Sequence, residues 1–149
     1  MADALRSTDS TRTLELVRQF LALRAARRDS ANLSPELIAY EQHREWLEGL
    51  ARYAKLEIWH QASLGKYIPT PESVLLADFE EYGNFDQRWS RELDQISRMA
   101  GDEGDGRFYY TGMAQAYLLD RLLPDWKSHV FNEDMWLDHL LTAAVQSLE

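Results

Sequence analysis

The chain has 149 residues, 45% hydrophobic and 11% aromatic, with five Trp, seven Tyr and no Cys. That length fits one domain with a core of its own, and the lack of cysteine excludes a disulfide framework and any thiolate zinc site. A net charge of −9 argues against nucleic acid, whose phosphates need clustered Lys and Arg.

The start "MADALRSTDS" has no cationic segment followed by an apolar run, and no apolar run nears the roughly 20 residues of a membrane span. The expectation is a soluble, cytoplasmic protein that meets neither nucleic acid nor membrane. Charge is uneven along the chain. Residues 1–30 hold six Arg against four acids, or +2, which leaves −11 for the rest. Residues 1–10 read as a flexible N-terminus.

Residues 11–28 repeat apolar positions at helical spacing: Leu14, Val17 and Leu21 on one line, Leu16, Phe20 and Leu23 on another. Arg24, Arg27 and Arg28 close that pattern, where cations favour the negative helix end. "SANLSPEL" supplies a loop and a start signal, with Ser34 as N-cap and Pro35 at the first helical position. A long central helix over Pro35–Leu64 follows, stopped by Gly65 in a left-handed conformation.

"GKYIPTPES" is a loop, because Pro69 and Pro71 block regular structure. "VLLADFEEYG" reads as a short helix ending at Gly83. Phe85, Trp89, Leu93 and Ile96 define an amphipathic helix that "GDEGDG" terminates. "RFYYTGMAQAYLLDRLL" is apolar nearly all round and predicts a buried helix broken by Pro124. The last helix starts after Asn132 as cap and buries Trp136, Leu137, Leu140, Leu141 and Val145. The sequence predicts one all-α domain, residues 1–149, of five to six helices.

Few residues point to chemistry. His43, His60, His129 and His139 include no pair at a spacing of four, so the H-E-x-x-H zinc motif is absent. Asp102, Glu103 and Asp105 lack the 12-residue calcium pattern and form a solvated turn. Glu41, Glu45 and Glu48 fall at i, i+4 and i+7, hence on one face of the long helix, and Arg52 continues the line. Either this is a solvated stripe closed by a Glu48–Arg52 pair, or it faces a cleft, since Leu37, Leu56 and Trp59 lie on or beside it.

"EWLEGLARY" resembles the Glu-Gly-x-Ala-x-Tyr helix of gluzincin-type zinc metallopeptidases, the thermolysin- and aminopeptidase-like class. Farther on, "FYYTGMAQAYLLDRL" is similar to that family's Tyr-x-x-Gly segment, and the two occur in the family's order across about residues 36–123. The chain thus looks like the C-terminal helical part of such a domain. The resemblance implies that Glu48 is the third zinc ligand and that Tyr109, with Gly112 three residues on, stabilises the oxyanion. Glu41, Glu45, Arg52 and Trp59 would line the cleft.

The family's H-E-x-x-H should precede Glu48, yet residues 1–47 contain only His43. A catalytic zinc needs three protein ligands plus a water. The expectation is therefore a metallopeptidase-like helical domain without catalytic activity of its own and with no tightly bound cofactor. Zinc would bind only with histidines from a missing N-terminal segment or a partner chain. Two alternatives stay open: a helical binding module for a small cationic or apolar ligand or a partner protein, and an enzyme using paired carboxylates with Tyr109 as acid and base.

Overall fold

The computed structural model describes every residue except 80, 81, 83, 133, 134 and 149, and no strand occurs among the described residues. In chain order the elements are α1 (Ala2–Arg6), α2 (Ser10–Ser30), α3 (Pro35–Arg44), a π-helical turn (Glu45–Gly49), α4 (Leu50–Leu64), α5 (Pro71–Val74), α6 (Phe85–Met99), α7 (Gly106–Leu122), a 3₁₀ turn (Trp126–Ser128) and α8 (Leu137–Ser147). The fold is all-α, as the sequence predicts.

The long helix is present. α3, the π turn and α4 follow one another without a break from Pro35 to Leu64. Its start is as expected: the Ser34 side chain accepts from the Leu37 amide, and Pro35 takes the first position. Its end differs. Gly65 stays right-handed, and Lys66 adopts the left-handed conformation with φ of 49°. The Tyr67 amide then closes back onto the Ala62 carbonyl.

α7 is the centre of the domain and packs against the π turn, α4, α6, α8 and α1. Met113, Ala114, Ala116, Leu118 and Leu119 are completely buried, and each large apolar side chain so buried contributes about 1.5–3 kcal/mol. Leu137, Leu140 and Leu141 of α8 and Leu56 of α4 join the same core.

Two glycines set the closest approach. A Cβ built on Gly49 would lie 2.6 Å from the Gly112 carbonyl carbon and 2.8 Å from the Met113 nitrogen. A Cβ on Gly112 would lie 2.8 Å from Gly49 Cα and 2.9 Å from the Glu45 carbonyl carbon. Backbone meets backbone there, so neither position has room for a side chain. Helix-interior glycine costs roughly 1 kcal/mol against alanine, and this crossing is the physical reason for both.

Three expectations are corrected. Residues 1–10 are not a loose end: α1 packs on α2, α6 and α7, with Ala4 fully buried. Among the described residues of "VLLADFEEYG" only Val74 is helical: α5 starts earlier, at Pro71 with Thr70 as cap, and stops at Val74. Residues 75–78 form turns and a bend; the end assigned to Gly83 lies outside the described residues. The last helix begins at Leu137 with Trp136 at its cap position, not after Asn132, and Trp136 is only half-buried.

Candidate functional site

The carboxylate stripe of the long helix does not stay together. The π turn inserts one extra residue into a helical turn, which keeps Gly49 on the side of Glu45 but rotates Glu48 and Arg52 off the Glu41–Glu45 line. Glu41 and Glu45 face α2, and both are buried, at 4% and 2% exposure. Glu48 lies on a neighbouring, half-exposed face.

The arginines at the end of α2 meet the buried pair. Arg24 grips Glu45 end-on, with Nη1 to Oε1 and Nη2 to Oε2 both at 2.7 Å, the bidentate geometry that makes this pairing strong. The Thr111 hydroxyl donates to Glu45 Oε1 at 2.7 Å, and Gln115 Nε2 to Oε2 at 2.9 Å. Arg27 Nη2 donates to both oxygens of Glu41 at 2.6 Å, and Arg28 Nε reaches Glu41 Oε2 at 3.3 Å. Arg28 also binds Asp138 of α8 at 3.1 Å, and Gln42 Nε2 donates to Asp138 Oδ1 at 3.0 Å.

Three cations and three anions thus tie α2, α3, α7 and α8 together. Burial alone lowers the Arg24 pKa, but the charge and hydrogen bonds of Glu45, with Asp138 and Glu41, raise it overall. Burial pushes Glu41 upward, while its hydrogen bond to Arg27 and the charges of Arg27 and Arg24 bring it below 4.5. Arg27 and Arg28 do lie in the last turn of α2, as the sequence predicts, and with Arg24 they also satisfy buried carboxylates.

Glu48 has different partners. Its carboxylate is 3.0 Å from Arg44 Nη1, one turn back on the long helix. It also accepts a hydrogen bond from the Tyr109 phenol, which raises the phenol's pKa. The two residues lie 61 positions apart in sequence, and the Gly49–Gly112 crossing brings them together. The Glu48–Arg52 pair is absent. Arg52 instead donates to Glu92 Oε2 at 2.6 and 2.9 Å and to the Tyr110 hydroxyl at 3.2 Å.

Trp59 is buried with Arg88 over its ring, and Arg88 pairs with Glu92 at 3.0 Å. Arg52 and Trp59 therefore belong to a cluster with α6, away from Glu41 and Glu45. Leu37, expected beside the stripe, is exposed.

A cavity of about 540 Å³ opens between α2, α6 and α7. Of the residues expected to line a cleft, only Glu45 reaches it. Its other polar wall residues include Arg24, Arg27, Arg107 and Thr111, and its apolar ones include Phe20, Leu23, Ile96, Met99 and Phe108. The arginines were visible as a cluster in the sequence, but nothing there paired them with Glu41 and Glu45.

Zinc does not fit the surroundings of Glu48. Arg44 sets a fixed cation against the carboxylate, and among the described residues no group of three or more His, Cys, Asp or Glu could hold a metal ion. No protein-family model, no curated protein and no solved structure matches this chain. Among the described residues, no helix is long and apolar enough to cross a membrane.

Proposed function

We propose that this chain is a metallopeptidase-like helical domain without catalytic activity of its own. One observation supports the reading above others. The two short motifs that carry the resemblance, Glu48-Gly49 and Tyr109-x-x-Gly112, meet in space, glycine against glycine and carboxylate against phenol. Coincidental helical stretches carry no requirement to cross at those positions.

The pair cannot perform peptide hydrolysis unaided. A zinc-bound water needs three protein ligands around the metal, and Glu48 offers one carboxylate already engaged by Arg44 and Tyr109. Histidines from sequence or a partner outside this chain would have to displace Arg44. The raised Tyr109 pKa also works against an unaided acid–base enzyme, because a catalytic group's pKa belongs near the working pH.

Elemental analysis after dialysis, combined with a peptidase assay, tests this reading. The expected result is substoichiometric zinc and no hydrolysis by the chain alone. One zinc per chain, or chelator-sensitive cleavage, would overturn it.

The cavity favours a second reading, a binding module for a small ligand. Its volume falls within the ~300–1,000 Å³ of small-molecule sites, and its apolar walls carry a few polar groups, as such sites do. A cationic ligand gains little there, because Arg27 and Arg24 already hold Glu41 and Glu45.

A further inference from the structure

We infer that the cavity between α2, α6 and α7 binds an amphipathic monoanion, an aliphatic or aryl carboxylate whose head meets Arg27 and Arg107 and whose body lies on Phe20, Leu23, Met99 and Phe108. This deepens the binding-module reading and does not depend on the peptidase-like one.

The sign of the ligand follows from which charges on the wall are already used. Glu45 is satisfied from four directions by Arg24, Thr111 and Gln115. Asp3, the other acid on the wall, faces Arg6 at 3.5 Å. Glu45 is thus closed to a cation, and Asp3, with 81% of its side chain in solvent, is held loosely by Arg6.

The cations are less fully used. Arg27 binds Glu41 through one nitrogen, yet 46% of its side chain remains exposed. Arg107 reaches Glu41 only at 3.9 Å and donates Nη1 to the Asp102 carbonyl, with about a third of its side chain exposed. On the wall itself Arg24, Arg27 and Arg107 outnumber Asp3 and Glu45 by one, in a chain whose net charge is −9. A guanidinium that is only partly paired and sits beside an apolar wall suits a carboxylate, which it can grip in a planar fork.

The apolar part of the wall selects the rest of the molecule. Leu23 is 63% exposed at this opening, whereas Phe108 is buried behind it. An apolar chain laid along them would cover surface that water now meets.

Isothermal titration of the full chain with decanoate, decanol and decyltrimethylammonium, each kept below its micelle threshold, tests the proposal. Decanoate is expected to bind one per chain, at least tenfold tighter than decanol, with no detectable binding of the ammonium probe. Added salt should weaken decanoate. Arg107→Gln is expected to reduce decanoate affinity at least fivefold and leave decanol unchanged. Leu23→Glu, at an exposed position that does not challenge folding, should weaken both probes.

Equal binding of decanoate and decanol would overturn the assigned charge while leaving the cavity as a binding site. No binding of any probe would overturn the binding-module reading itself. Amide shifts on decanoate addition that fall at residues 64–76 instead of Phe20, Phe108 and Thr111 would place the probe on another apolar surface and defeat the proposal.

Discussion

The two halves of the long helix are buried by opposite means. Before the π turn, α3 inserts Glu41 between Arg27 and Arg28 and holds Gln42 against Asp138; Glu45, opening the turn, takes Arg24. Beyond it, α4 inserts Tyr53 edge-on against Tyr117 and Trp126, at ring-centroid separations of 4.8 and 5.7 Å. The Tyr53 hydroxyl and the Trp126 indole both donate to Asp120, at 2.7 and 2.9 Å.

The aromatic half gains from area and tolerates adjustment, since rings can slide. The charged half gains little on balance from desolvating its ions, but it loses heavily if any one partner leaves. Specific registration of α2 on the long helix therefore belongs to the charged half. Between them, the Gly49–Gly112 crossing fixes the distance at which both halves meet α7.

Breaking the crossing should have a large effect. Gly49→Leu would drive a side chain into the Gly112–Met113 backbone, and overpacking of this kind costs about 3 kcal/mol or more. Helix propensity alone would favour Gly49→Ala by roughly 1 kcal/mol. With backbone atoms inside 3 Å of its Cβ, it should instead destabilise by about 1–3 kcal/mol. Urea denaturation of both variants checks the order, and an alanine variant as stable as wild type would refute backbone contact.

A smaller effect sharpens the charged half. Glu41→Gln removes an acceptor of charged hydrogen bonds, worth about 1.5–3 kcal/mol at neutral pH. Its folded pKa lies below its unfolded value of 4.5, so the unfolded chain binds more protons between the two. The stabilisation from Glu41 is present above pH 4.5 and disappears as pH falls through the folded pKa. Wild type and variant should thus converge in stability on acidification. A gap that is constant from pH 7 to pH 3 would contradict this.

The aromatic half should respond least. Tyr53→Phe keeps the ring packing and loses one hydrogen bond to Asp120, about 1 kcal/mol. Burial pushes the Tyr53 pKa up to about 12, so its phenol stays protonated across the neutral range. Ultraviolet titration should find at least one tyrosine ionising well above the ordinary value of 10, and its loss in the Phe variant assigns it.

What the sequence made legible was periodic. Ser34-Pro35, the spacing of Phe85, Trp89, Leu93 and Ile96, and the apolar run around Met113 each specify a helix through local rules. Glu45 and Glu41 defeated such rules, because α-helical geometry puts them on one line with Glu48 and Arg52. The π turn that separates them sits at the Gly49–Gly112 contact, which joins residues 63 positions apart. Arg24 reads as a helix-end cation and Glu45 as a solvated or cleft-lining carboxylate until the fold pairs them. The meeting of Glu48 with Tyr109 was approachable only through the order of two short motifs.

A double-mutant cycle on Arg24 and Glu45 tests most directly whether the buried carboxylates are structural partners of α2 and not groups offered to a metal or a cation. Arg24→Met and Glu45→Met should each cost about 3 kcal/mol or more in urea denaturation, since each strips a buried charge of its bidentate partner, leaving Arg24 with Asp138 at 3.3 Å and Glu45 with Thr111 and Gln115. The double variant should cost less than the sum by about 2 kcal/mol or more. Additive losses, or a Glu45→Met variant as stable as wild type, would contradict the pairing and return Glu45 to the cleft as a free carboxylate.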